Sequence, residues 1–425
     1  MPTLRTRRLA AVLLLALPVT LRAQQSGFAP ERLARIDRFM QEYVDSNRIA
    51  GAVGLVLRDG KVVYERAVGF SDKVSSRRMT TDAIFRIASQ SKALTSVAVL
   101  MLVEEGKIAL GDPVSRFIPA YARTTVASRA DSGRTSVPAK RQITIKDLLT
   151  HTAGISYGTD GFIAQQYASK QLGPAAGWGW YTADMDEPVC TTMERLATLP
   201  FVAQPGEAWV YGYNTDILGC VVERASGMPL DEFLRTRITG PLGMDDTYFF
   251  LPAAKRDRFV TLYADSAGQL TRAPDGARGQ GHYVVGPRKN FSGGAGLVST
   301  ARDYARFLQM ILDRGEINGV RYLSPKMVDL MTTNQSGTLY GNGGEGFGLG
   351  FQIVEKLGAD GMASVGTFGW GGAYGSQYKV DPAERLVIVF MINQLPNRSD
   401  IAAKFPTLVY QALVASSART ERVQR

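Results

Sequence analysis

Histidine and cysteine are scarce in this chain of 425 residues: only His151 and His282, and only Cys190 and Cys220. There is no CxxC and no HExxH. That supply falls short of an ordinary zinc site, so no metal and no other cofactor is expected. Charge is not gathered into tracts. No basic run and no arginine-aromatic interleaving occurs, which argues against a nucleic-acid partner. Internal repeats and long low-complexity linkers are missing too. The one long apolar run, Leu9 to about Leu21, is too short for a comfortable membrane span.

That run has its own meaning. "MPTLRTRRLAAVLLLALPVTLRAQQ" sets Arg5, Arg7 and Arg8 before the apolar stretch and Ala23 before Gln24, the pattern of a secretory signal peptide over residues 1–23. No cysteine follows the run, so no lipid attachment and no lasting membrane anchor is expected there. Removing residues 1–23 takes away four arginines, Arg22 included, and lowers the net charge from +10 to +6. The expected location is periplasmic or extracellular, in a bacterial setting. Export permits a Cys190–Cys220 disulfide. Cys220 lies in "DILGCVVERASG", which reads as a helix face, so a buried free thiol fits equally well.

What remains is ordinary for a globular protein: 45% hydrophobic and 21% charged, enough for one large or two moderate domains. Leu33, Ile36, Phe39, Met40, Tyr43 and Val44 recur at helical spacing. "AVGLVLRDGKVVYERAVG" follows, two β-rich runs joined by Asp59-Gly60, a strong hairpin signal. Helices and glycine-rich loops dominate residues 80–300. Late in the chain, "FGLGFQIVE", the glycine-rich piece after it and "GSQYKVDPAERLVIVFMIN" read as three more strands. A last helix carries Ile401, Phe405, Leu408, Val409 and Ala412. Strands at both ends predict an α+β fold with an antiparallel sheet of five or more strands, built from 24–80 and 300–425 and flanked by the terminal helices. A mainly helical domain over 81–299 is inserted, with the site between the two.

"FRIASQSKALTSVAVLML", Phe85 to Leu102, poses the functional question. It is an apolar helix with Lys92 near its start, and a buried ammonium is costly without a purpose. Residues i and i+3 share a helix face, so Lys92 reaches Ser89. A hydroxyl in the first turn could be a nucleophile, an amine with its proton affinity reduced by burial could be its base, and the free N–H of Ser89 could hold half an oxyanion. Short motifs match by chance, and Ser376 and Lys379 in "SQYK" are a second Ser-x-x-Lys. That pair sits on a predicted strand, where i and i+3 face opposite ways.

Longer blocks separate the two. "FRIASQSKALTSVAVLMLVEEGKIALGDPVSRFIPAY", "ITIKDLLTHTAGI", "QPGEAWVYGYNTDILGCVVERASGMPLDEFLRTRITGPLGMDDT", "SGGAGLVSTARDYARFLQMILDRGEINGVRYLSPKMVDLM" and "FGWGGAYGSQYKVDPAERLVIVFMINQ" stand in one order between about Leu33 and about Leu413. Together they resemble the serine β-lactamase and penicillin-binding-protein superfamily, in particular the class C β-lactamase-like branch that includes the family VIII carboxylesterases. The resemblance implies Ser89 as nucleophile and Lys92 as its partner. It implies Tyr211, in the place of the family's Trp-x-Tyr block, as the third catalytic residue, with Tyr213 as the competing tyrosine. The family's Lys-Thr-Gly motif, on an edge strand, falls on Trp370-Gly371-Gly372, and the N–H of Ala373 would complete the oxyanion hole. Trp370, Gly371, Gly372, Tyr213 and Asn214 are thereby expected at the substrate. Tryptophan in place of the motif's lysine removes the cation that would hold a lactam or peptide carboxylate and favours a neutral acyl ester. Rival readings are a β-lactamase or D-Ala-D-Ala carboxypeptidase, and a non-catalytic binder of peptidoglycan or β-lactams. "YGTDGF", "GPAAGWGWYTADMDEP" and "PDGARGQGHYVVGP" are expected to roof the cleft.

One motif points elsewhere. "GISYG", Gly154 to Gly158, is a formal G-x-S-x-G, but it lacks the strand before and helix after that an α/β-hydrolase nucleophile needs. Ser156 is expected to be a decoy and His151 to be structural, bonded near a helix end.

Overall fold

The computed structural model describes residues 27–130, 133–176, 182–266, 268–277 and 279–416. The expected signal peptide, and part of the glycine-rich loop "GPAAGWGWYTADMDEP", lie outside the described residues.

The two halves of the main sheet come from the two ends of the chain. Gly51–Arg58 pairs antiparallel with Leu386–Met391, Val53 opposite Met391 and Leu57 opposite Val387. The full order is Glu345–Phe347, Gln352–Val354, Phe368–Gly371, Gln377–Asp381, Leu386–Met391, Gly51–Arg58, Lys61–Asp72, Arg77–Arg78, eight strands in all. Every pairing between neighbours is antiparallel. Side chains alternate across a strand, so one run can supply two cores. Val53, Leu55, Leu57, Val387, Val389 and Met391 join the larger core, which includes Ala305, Leu308 and Leu312. Their neighbours Ala52, Val56, Leu386, Ile388 and Phe390 join a second core against Ile36, Met40, Phe405 and Val409. These last four lie on the terminal helices Pro30–Asp45 and Ile401–Tyr410. With both faces covered, the central strands are apolar throughout rather than alternating with polar residues. The Asp59-Gly60 turn is tight, with φ of 49° and 71°, the left-handed pair such a hairpin requires.

The late strands number five, not the three the sequence suggests. "FGLGFQIVE" is no single strand: Gly350 turns back at φ 103° and leaves two short strands on either side. The run from Gln377 to Met391 is a hairpin, with Arg385 in its turn at φ 54°. β-branched and aromatic content marked both stretches as strands, but the reversals depend on single residues in left-handed backbone.

The helix Ser91–Glu104 runs through the larger core, buried from Ser91 to Leu102. Beside it, Val189–Leu196 and Asn214–Ser226 are joined by a Cys190–Cys220 disulfide. The chain between the two cysteines carries Trp209 and Tyr211. Breaking this closure, as Cys190→Ala with Cys220→Ala, lowers unfolding free energy by about 3–4 kcal/mol on loop-entropy grounds. Urea unfolding with and without reductant checks this. Coincident curves would show that the link contributes nothing.

Candidate active site

Three stretches of chain meet in front of the buried helix. The first is the nucleophile turn. Phe85–Arg86 pairs with Val298–Ser299, and Ile87 N donates to Leu297 O at 3.1 Å. Ala88 then adopts φ 44°, a left-handed backbone that an alanine enters only under constraint. The reversal starts a short 3₁₀ turn, Ala88–Gln90, that continues into the helix at Ser91. Ser89 therefore stands at the helix entrance and lines a cavity of about 600 Å³. Lys92, one turn further, is 3% exposed. Its Nζ donates to Ser89 Oγ at 3.3 Å, Tyr157 OH at 3.0 Å and the Gly294 carbonyl at 2.7 Å. Three oxygens thus surround the amine.

The second stretch brings the tyrosines. Thr144 caps the helix Ile145–Leu149 in a reciprocal bond with Asp147, and the chain leaves through His151 at φ 57°. His151 O accepts from Val210 N at 2.7 Å, which ties this corner to the strand-like approach of Trp209 and Tyr211. Gly212 is needed here. A Cβ on it would lie 2.3 Å from Ile155 O, so only glycine lets "AGISYG" press against "WVYGY". The contact sets Tyr157 beside Tyr211, ring centres 5.7 Å apart. The Tyr211 ring lies 4.7 Å from Lys92 Nζ and 4.7 Å from the His151 ring.

The third stretch is the strand Phe368–Gly371. It is third from one end of the sheet, but Gln352–Val354 pairs only with its Phe368 and Gly369. The expected edge is thus confined to Trp370 and Gly371, whose outer side is unpaired. Trp370 Nε1 donates to Tyr211 OH at 3.0 Å. At Gly372 a Cβ would sit 2.5 Å from Ile87 O, so glycine lets this strand's end lie against the nucleophile turn. Ala373 lines the same cavity as Ser89, Tyr211, Trp370, Gly371 and Gly372.

Two expectations need correction. Tyr213 and Asn214 do not face the cavity. Tyr213 is fully buried, its OH accepting from Gly173 N at 3.0 Å and its ring packed on Tyr157. Asn214 is buried too, its amide 2.9 Å from His151 Nδ1. The cause is local: Tyr213 follows Gly212 and caps the helix that Asn214 opens, and that turn carries both side chains inward. Ser156 is 8% exposed, and its Oγ accepts from Gly158 N at 3.1 Å within the turn. In the rival "SQYK", Ser376 Oγ donates to Ile392 O, while Lys379 pairs with Asp360.

Sequence reasoning missed Tyr157, which bonds Lys92, and Tyr340, which lines the cavity. Tyr157 stood inside the decoy "GISYG", next to the serine that drew attention. Tyr340 lies 4.8 Å from Trp209 and 5.4 Å from Phe347, ring to ring, and Phe347 lies 5.4 Å from Trp370. Behind Tyr211 the cavity is therefore walled with aromatic rings.

The electrostatics follow from depth. Burial, then the neighbouring Tyr211, pushes the Tyr157 phenol well above its ordinary range. Burial, with Lys92 adding to it, holds His151 far below the usual imidazole value, so His151 is neutral and its Nδ1 accepts the Asn214 amide. Burial likewise raises the Tyr340 hydroxyl to about 12.

A serine hydroxyl backed by a buried amine, with phenols on both sides of it, in a cleft beside an antiparallel sheet, defines the class: a serine hydrolase. Residues 36–410 match the family described as Beta-lactamase, and the chain belongs to it. Esterase EstB of Burkholderia gladioli is 32% identical over 375 residues, covering 85% of this chain and 90% of that protein. The lovastatin esterase of Penicillium rubens is 30% identical over 398 residues, covering 87% and 95%. Among solved structures, EstCE1, described as a hydrolase with promiscuous acyltransferase activity, superposes with a TM-score of 0.73 at 27% identity, covering 91% of this chain and 99% of that one.

Proposed function

We propose that the protein is an exported carboxylesterase that works through an acyl-enzyme on Ser89. The observation that carries this is the 3.3 Å contact of the buried Lys92 Nζ with Ser89 Oγ on the wall of the cavity. Ser89 Oγ attacks the ester carbonyl carbon, and its proton passes to Lys92 and Tyr211. The carbonyl oxygen takes the negative charge and is held by the N–H groups of Ser89 and Ala373. Collapse breaks the bond to the alkoxy oxygen, which leaves as the alcohol with the returned proton. Water repeats the sequence on the acyl-enzyme, and the carboxylic acid departs. Tyr157 holds Lys92 on the line to Ser89 through its hydroxyl.

Two features support a neutral ester. Trp370 offers Tyr211 an indole N–H where the family's lysine would offer a cation. Lys379, the one lysine or arginine among the described residues of the cavity wall, is already paired with Asp360. A substrate carboxylate would find no unpaired counter-charge there, whereas an apolar acyl or alcohol group meets Trp370, Tyr340 and Phe368. The leader sequence and the Cys190–Cys220 disulfide support export, since such bonds persist in oxidising compartments. The mature chain should then begin at Gln24, which intact-mass measurement on the exported protein checks.

The experiment compares a short-chain p-nitrophenyl ester with a chromogenic cephalosporin. The expected result is ester turnover with kcat/KM at least about 100-fold above that for the lactam, as the missing carboxylate contact is of the charge-assisted kind. Lactam cleavage at comparable efficiency would overturn the ester reading, and a single burst without turnover would mark a binder.

A further inference from the structure

One carboxylate is buried beside this machinery, and the steps above do not use it. Asp216 lies in the first turn of the helix Asn214–Ser226 and is fully buried. Its Oδ1 accepts from Ser292 Oγ at 2.6 Å and from Gly294 N at 3.1 Å. Its Oδ2 has no hydrogen-bond partner among the described residues. The same Gly294 accepts Lys92 Nζ through its carbonyl. The segment "SGG", Ser292 to Gly294, therefore lies between a buried carboxyl and a buried amine and touches both.

The glycines are there for that reason. A Cβ on Gly294 would stand 2.4 Å from Asp216 Oδ2, so any other residue would displace the carboxylate. A Cβ on Gly293 would stand 2.8 Å from Thr215 O, on the helix that carries Asp216. On its other side Gly293 O accepts from Thr95 Oγ1 at 2.9 Å, on the helix that carries Lys92. The segment is clasped between the two helices, and a side chain at either glycine would open the clasp.

We propose that Asp216 is the fixed counter-charge of Lys92, a positioning residue that acts through Ser292–Gly294 to hold the amine aimed at Ser89. This rests on the Ser89–Lys92 reading of the site. Lys92 makes no direct ion pair among the described residues, and its hydrogen-bond partners are a hydroxyl, a phenol and a carbonyl. The other titratable groups around it are Tyr211 and His151, of which His151 is neutral. Among the described residues, Lys92, Tyr121, Tyr157 and Tyr213 stand around Asp216, and Lys92 is the basic group of that set. Burial raises the carboxyl, and Lys92 opposes that rise. Opposite charges in such a medium attract across several ångströms, and a buried ammonium stripped of its counter-charge sheds its proton more readily.

The sign of the test follows. The free amine is the form that takes the Ser89 proton, so the acid limb of kcat/KM marks where Lys92 loses its own. In Asp216→Asn, measured on the full chain with a p-nitrophenyl ester, that limb should move to lower pH by about one unit or more. A purely structural role would lower kcat and leave the limb in place, so an unmoved limb overturns the proposal. Should Asp216→Asn not fold, Ser292→Ala keeps the carboxylate but removes its hydroxyl donor. Its limb should shift the same way by a few tenths of a unit, about what one hydrogen bond to a partly screened charge supplies, and an unmoved limb there is equally contradictory. Ser89→Ala separates the two levels. If it keeps wild-type turnover, the reading of the site fails. If it is inactive while the Asp216→Asn limb stays fixed, this inference alone fails.

Discussion

Ser89→Ala is expected to lower ester kcat by at least about 10⁴-fold, while Ser156→Ala keeps kcat/KM within a few-fold of wild type. Both serines stand in recognisable hydrolase motifs, so the pair decides between them. Ser89 lines the cavity and touches Lys92, and its removal takes away the atom that would carry the acyl group. Ser156 is buried and bonded to Gly158 N within its own turn. Its loss leaves one N–H unpaired and should cost about 1 kcal/mol of stability, read from a denaturant midpoint. Steady-state kinetics on both variants checks this. Activity that follows Ser156 instead would mean the chemistry sits on another turn of the chain.

Lys92→Met is the second large effect. Methionine fills nearly the same volume and removes all three hydrogen bonds to Ser89, Tyr157 and Gly294. Proton transfer in acylation and deacylation loses its partner, and kcat/KM should fall by about 10³-fold, within the range a positioned acid–base group supplies. Stability should fall as well, by up to about 3–5 kcal/mol, because Asp216 is left buried without its partner and Tyr157 and Gly294 lose theirs. Loss of activity in the fraction that stays folded is the mark of a residue kept for chemistry. If Lys92→Met instead unfolds the protein while keeping specific activity, the lysine is structural.

Much of the frame was legible because it rests on local signals. Asp59-Gly60 states its turn, and the β-rich runs on either side of it state their strands. Ser89 and Lys92 were legible as two residues three positions apart at the start of one helix. Tyr213 and Asn214 misled because the sequence gives their order but not their direction. That direction is set by Gly212 pressing on Ile155, a contact between segments far apart in the chain. Tyr157 was illegible for a similar reason. It reaches Lys92 across 65 positions of chain, and no spacing rule connects them. The partial edge at Trp370 depends on how short Gln352–Val354 is, which is fixed by the turn at Gly350.

The most direct measurement is to quench the reaction with a p-nitrophenyl ester during the pre-steady-state burst and map the acyl group by peptide mass spectrometry. The account predicts acylation on the peptide holding Ser89, absent in Ser89→Ala and in Lys92→Met at the same time point. Acylation at Ser156 or any other residue, or full turnover through a chain lacking the Ser89 hydroxyl, would contradict it.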